Sequence, residues 1–253
     1  MDNIHAFGQA LAQAITACGG PQMKYIPDDQ TIVFEDGDLK QIVNIYNFFR
    51  MHEAGRPVED IANFIVRLGN EQKTPVDLQT ARPLLHLHVV SEDYLKEQGL
   101  FRPCGPGLKA ALVLDYPDFV RFLVKGDLEK IGESEDVLWA IAEVNTDAKM
   151  PEPVREQMPN GKDALVFECS MGAVYAWRYA ITHGTAICGM PRRDLGFVTT
   201  DDTPESFAML GIATVAYFRE AEDHPLVPLA YRFVNGKLAG VGGAVKTSQS
   251  NAS

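Results

Sequence analysis

Apolar residues near the start recur at helical spacing. Ile4, Phe7, Leu11, Ala14 and Ile15 predict a helix over 3–18, closed by Gly19-Gly20. Met23–Tyr25 and Thr31–Phe34 flank Pro27-Asp28-Asp29 and read as a hairpin. Asp38 is placed to cap a helix carrying Leu39, Ile42, Val43, Ile45, Tyr46 and Phe49, broken at Gly55. Pro57 suits the first turn of the next, with Val58, Ile61, Phe64, Ile65 and Leu68 inward and Gly69 at its end. Polar residues 70–74 form the expected internal joint.

Beyond the joint the pattern alternates between strands and helices. Leu84–Val90 predicts a strand after Pro83, and Ser91 caps a short helix ending at Gly99. Two prolines and two glycines in Arg102-Pro103-Cys104-Gly105-Pro106-Gly107 predict a loop. Strands are expected at Lys109–Leu114 and Phe119–Val124, and a helical turn at Asp127–Ile131 ending on Gly132. Ser134 caps a helix with Val137, Leu138, Ile141, Ala142 and Val144 inward, ending at Asn145-Thr146, and 147–162 reads as a surface loop.

The last third is the most regular. Ala164–Cys169 predicts a strand and 171–182 a helix closed by Gly184. Thr185–Met190 and Leu195–Thr199 form a hairpin around Pro191-Arg192-Arg193-Asp194. Thr203-Pro204 opens a long helix to about residue 222. Leu229–Val234 and Lys237–Val241 form a second hairpin through Asn235-Gly236. Hairpins outnumber strand–helix–strand crossovers, so the class is α+β, with a mixed or mainly antiparallel sheet and helices packed on it. The division expected is a helix–hairpin–helix subdomain over 1–73, a main α+β domain over 74–245 and a disordered polar tail over 246–253, the first two behaving as one cooperative unit.

Composition adds limits. Net charge is −11, from 34 acidic and 23 basic residues. The densest basic point is Arg192-Arg193, too small for a phosphate-binding stripe, so neither nucleic acid nor an anionic membrane surface is an expected partner. No basic leader precedes an apolar segment and no apolar run reaches 18 residues, which predicts a cytoplasmic protein. Cys18, Cys104, Cys169 and Cys188 include no Cys-x-x-Cys pair and read as reduced thiols.

Several clusters are candidates for chemistry. Glu168-Cys169-Ser170-Met171-Gly172 lies between a strand and a helix, as a nucleophile elbow does, with Asp202 and His224 following in hydrolase order. Glu168 stands where the elbow needs glycine, so Ser170 reads better as a helix cap. His86-Leu87-His88 puts two imidazoles on one strand face, a start on a zinc shell that nothing nearby completes; the plainer reading is a half-exposed face. No cofactor is expected, and zinc should be less than stoichiometric. The acidic run Asp127, Glu129, Glu133, Glu135, Asp136 lacks calcium-loop spacing and suits helix starts.

Arg193 and Asp194 on one hairpin and Tyr231 and Arg232 on the next are the candidate ligand-binding residues. They converge if the hairpins are neighbours in one sheet. The opposing reading pairs Arg193 with Asp194, and that structural role is the expected one.

The stretches AICGMPRRDLGFVTTDD and TPESFAMLGIATVAYFREAEDHPLVPLAYRFVNGKL resemble the YtpQ-like family of uncharacterised bacterial proteins. Pro191, Arg193, Asp194, Tyr231, Arg232 and Gly236 carry the resemblance, and RFLVKGDLEKIGESEDVLWAIAEVNT is similar to the family's middle segment. The resemblance spans most of 4–240 and departs at Asn145-Thr146 and the loop 147–162. It implies one folded unit and brings no reaction. The expected function is a non-catalytic binding or regulatory protein, its partner an unknown protein or a small anionic ligand. The alternative is an enzyme with a site near the C-terminal hairpins.

Overall fold

The computed structural model describes residues 3–27, 31–36, 39–73, 77–94, 99–116, 120–221 and 225–242. Asp28-Asp29, Asp38, Phe119, His224, most of the helix expected after Ser91 and the tail 246–253 lie outside them. By internal contacts the chain divides into two compact units, Met1–Pro75 and Val76–Ser253.

In the first unit, α1 (Ile4–Ala17) is capped by Asn3, whose Oδ1 accepts from the His5 amide at 2.8 Å. Its Phe7, Leu11 and Ile15 are fully buried and share a core with Ile32, Ile45 and Ile61. β1 (Lys24–Ile26), β2 (Thr31–Asp36) and β3 (Leu39–Asn44) form an antiparallel meander, followed by α2 (Tyr46–Glu53) and α3 (Val58–Lys73). Residues 39–44 are thus a strand and not the start of a helix. Their backbone pairs in register with β2, and that ladder outweighs the helical spacing of Leu39, Ile42 and Val43. Likewise α3 runs through Gly69 to Lys73, because one interior glycine costs only about 1 kcal/mol against a helix anchored by Ile61, Ala62 and Ile65.

The second unit holds two antiparallel sheets. The smaller contains β4 (Leu85–Ser91), β5 (Phe101–Gly105), β6 (Leu108–Asp115) and β7 (Val120–Phe122), with β6 paired to the other three. β5 occupies most of the expected loop 102–107. Pro103 fits there because β5 is an edge strand, and the register slips between Pro103 and Gly105. α4 (Leu78–Ala81), with a 3₁₀ turn at Arg82–Leu84, precedes this sheet, and α5 (Lys125–Ile131) and α6 (Glu135–Ala148) follow it. Asp127 opens α5, accepting from the Val124 amide at 3.0 Å and from buried Arg121 at 2.7 Å.

α6 does not stop at Asn145-Thr146. Asn145 Nδ2 donates to the carbonyls of Arg82 and Leu85, and Thr146 Oγ1 accepts from the Leu87 amide at 2.9 Å, so these residues satisfy backbone beside β4. Val137 and Val144, expected inward, are exposed; Leu138, Trp139 and Ala142 form the buried stripe.

The larger sheet has the order β13-β12-β10-β11-β9-β8, from β8 (Val154–Gln157), β9 (Asp163–Glu168), β10 (Thr185–Arg192), β11 (Leu195–Thr199), β12 (Ala230–Val234) and β13 (Lys237–Gly242). Edge strand β8 lies inside the expected surface loop 147–162: Val154 to Gln157 are exposed, and backbone pairing with β9 makes the strand, joined by the Arg155–Asp163 ion pair at 2.8 Å. α7 (Gly172–Thr182) and α8 (Pro204–Glu220) take opposite faces of this sheet. Cys188, Met190, Val198, Tyr231 and Phe233 face α7 in the main core, while Ile187, Leu195, Phe197 and Ala230 meet Leu210 of α8. The smaller sheet joins the main core through Leu85, Leu87, Val89 and Leu112. The class is α+β, its sheets antiparallel and its helices packed on them.

Candidate functional site

The two candidate pairs do not converge. β10 pairs with β12, but Cys188 lies opposite Tyr231 and Ile187 opposite Arg232. Arg193 is five or six residues further along, roughly 15–20 Å at strand rise. Tyr231 is fully buried, and its hydroxyl donates to the Pro106 carbonyl at 2.7 Å. Burial raises its phenol far above the usual range. It ties β12 to the β5–β6 turn. Arg232, on the opposite face, forms an ion pair through Nη2 with Asp202 Oδ2. That pair holds Asp202 with an arginine where the hydrolase reading needed a histidine. Ser170 is exposed and caps nothing: α7 starts from Met171 with no side-chain cap.

The β10–β11 turn takes over that capping. The Arg193 carbonyl accepts from the Ala173 amide at 3.1 Å, and the Asp194 carbonyl from the Cys169 amide at 3.0 Å. Gly172 makes this contact possible, because a Cβ there would lie 2.2 Å from the Phe167 oxygen and 2.7 Å from that of Asp194. The carboxylate of Asp194 is taken by Arg192, whose Nε lies 3.0 Å from Oδ1 in an ion pair too bent for a hydrogen bond. Arg192 also reaches Glu168 at 3.4 Å. The expected Arg193–Asp194 pair is therefore replaced by Arg192–Asp194. Spacing along a turn does not say which of two adjacent arginines points back.

Arg193 itself has no ion-pair or hydrogen-bond partner for its side chain among the described residues, and its Nε is buried. Its charge is felt at Tyr94 and at His88. The two histidines of β4 are 1% and 5% exposed, so their strand face is not half-exposed. They alternate with Leu85, Leu87 and Val89 of the main core and lie on the other face, with Val90, Ala111 and Val113. Two residues of strand separate them by about 7 Å.

Their protonation follows from the surroundings. Burial lowers both imidazoles, that of His88 to about 4, with Arg193 adding to the effect. Both are neutral near pH 7. His86 Nδ1 lies 3.0 Å from the Leu84 carbonyl, which can only accept, so Nδ1 carries the proton and Nε2 offers a lone pair. Nε2 of each ring is buried without a protein partner among the described residues. Asp115, bonded to Lys149 at 3.3 Å, is a negative charge felt at both rings. The strand motif His86-Leu87-His88 was visible in the sequence; the approach of Arg193 from a turn a hundred residues on carried no local signal.

Among the described residues no three His, Cys, Asp or Glu side chains are grouped to hold a metal. A separate cleft of about 780 Å³ runs past Phe101, Pro103, Trp177, Phe233 and Leu238. Its cation, Lys109, lies over the Phe101 ring at 4.0 Å. No helix of the described residues is long and apolar enough to cross a membrane. Compared with protein-family models, curated proteins and solved structures, the chain matches none.

Proposed function

We propose that this chain is a cytoplasmic, non-catalytic binding protein whose ligand is a small anionic molecule held between Arg193 and the His86–His88 pair. The observation that carries the reading is that Arg193, whose charge reaches His88, and the two histidines each leave a buried nitrogen without a partner among the described residues: Nε of Arg193, Nε2 of His86 and Nε2 of His88. Each such atom costs about 1–3 kcal/mol when left unbonded, and folded proteins rarely leave several together. The donors of Arg193 suit a carboxylate or phosphate, and the lone pair of His86 suits a hydroxyl or N–H on the same molecule. The His88 imidazole, held at about 4, is a weak base at neutral pH, which favours binding over acid–base chemistry. Neither nucleic acid nor a membrane surface is part of the reading. The likeness to the YtpQ-like family belongs to the same proposal, because Arg193 lies in one of the hairpins that carry it.

Titration calorimetry with inorganic phosphate and a panel of hydroxycarboxylic acids tests this, run on wild type and Arg193→Ala. The variant should lose about tenfold or more in affinity for whichever anion binds. Its ligand-free urea midpoint should stay within about 0.5 kcal/mol of wild type. A stability loss on the order of 3 kcal/mol without ligand would make Arg193 scaffold and sink the reading. Consumption of the bound molecule would replace a binding protein by an enzyme.

A further inference from the structure

α8 packs Ser206, Leu210, Gly211 and Thr214 against the larger sheet. On a surface helix the opposite face is normally charged. Here it is not. At 100° per residue, Glu205, Ala208, Ile212, Ala216 and Arg219 fall in one stripe opposite the buried one, and all five are exposed. Its centre is apolar, with Ile212 72% exposed. A groove of about 640 Å³ runs beside it, lined by Phe207, Gly211, Val215, Phe218 and Pro228.

The order of residues in the stripe is self-complementary. Ile212 is central, with an alanine four residues to either side and a charge seven residues to either side, Glu205 before and Arg219 after. Rotated by a two-fold axis through Ile212, the stripe falls on itself antiparallel. Ile212 meets its own copy, Ala208 meets Ala216, and Glu205 meets Arg219 at both ends, about 10 Å from the axis. Small residues at the alanine positions allow close helix approach. Neither Glu205 nor Arg219 has an ion-pair partner among the described residues. Self-complementarity of this kind is what an isologous contact requires.

We propose that the outward face of α8 is a homodimer interface in which two copies of this chain pack α8 antiparallel across a two-fold axis at Ile212. The Ile212 side chain of each copy fills space beside the groove of the other. The two Glu205–Arg219 pairs fix the direction, since parallel packing would set like charges against each other.

Sedimentation velocity over a concentration series tests the proposal on the full chain. Wild type should form dimers, and Ile212→Glu should sediment as a monomer with an unchanged circular dichroism spectrum. Glu205→Arg and Arg219→Glu should each weaken the dimer about tenfold or more. Mixed in equal amounts, these two variants should recover a heterodimer, because one chain then carries two arginines and the other two glutamates at the facing ends. A monomeric wild type at the highest attainable concentration overturns the proposal. So does a dimer indifferent to Ile212→Glu, or charge variants that fail to complement each other on mixing.

Discussion

His88 has a pH signature that its neighbours set. Burial holds its imidazole at about 4, against about 6.5 in an unfolded chain, and Arg193 acts in the same direction. Asp115 opposes them, while His86, two residues away on the same face, lowers it further. The folded pKa is the lower one, so between pH 6.5 and 4 the unfolded chain binds the proton that the folded chain refuses. Stability is therefore full above pH 6.5 and falls as pH drops toward 4, by on the order of 3 kcal/mol for this residue. His88→Gln removes that slope while keeping a polar side chain. Urea midpoints at pH 7 and pH 4.5 should drop less for the variant than for wild type, the difference isolating His88 from the carboxylates. Equal drops in both proteins would mean that His88 is protonated in the fold.

At the scale of elements, legibility followed how local the cause was. The Thr203 cap and Pro204 set the start of α8, and Asn235-Gly236, both at positive φ, set the β12–β13 turn. These are short-range signals and were readable. Residues 39–44, β5 and β8 owe their conformation to partner strands, which no local window contains. The candidate site divides the same way: two histidines two apart on a strand are legible, whereas Arg193 depends on how its turn packs. Gly172 is the element-scale hinge of that packing. Gly172→Ala would force a methyl into the Phe167 and Asp194 carbonyls and push the start of α7 off the β10–β11 turn. A stability loss of about 2 kcal/mol or more is expected. Gly69→Ala in α3, where a Cβ meets nothing within 4 Å, should instead gain about 0.5–1 kcal/mol. Urea melts of the two proteins should shift in opposite directions; a neutral Gly172→Ala would show that the turn has room to yield.

For the molecule as a whole, each of the two units has a main hydrophobic core of its own. One is built on Phe7, Leu11, Ile15 and Ile61 within the first unit, the other on Leu87, Leu112, Trp139, Phe167 and Tyr231 within the second. A unit of the second one's length buries roughly 70% of its unfolded surface, enough to fold without a disulfide or metal. The four cysteines are free, and the two on strands, Cys104 and Cys188, have thiols that burial pushes up, to about 12 for Cys104, so they behave as core residues. The contact Tyr231–Pro106 and the capping of α7 by the β10–β11 turn both lie wholly inside the second unit. Residues 76–253 expressed alone should therefore show a near-ultraviolet circular dichroism spectrum from fixed Trp139 and Trp177 and a single cooperative urea transition. If they bind the anion found for the full chain with the same loss on Arg193→Ala, the site too is confined to this unit. A fragment with secondary structure but no near-ultraviolet signal would show that the first 75 residues are needed to complete the packing of the second core.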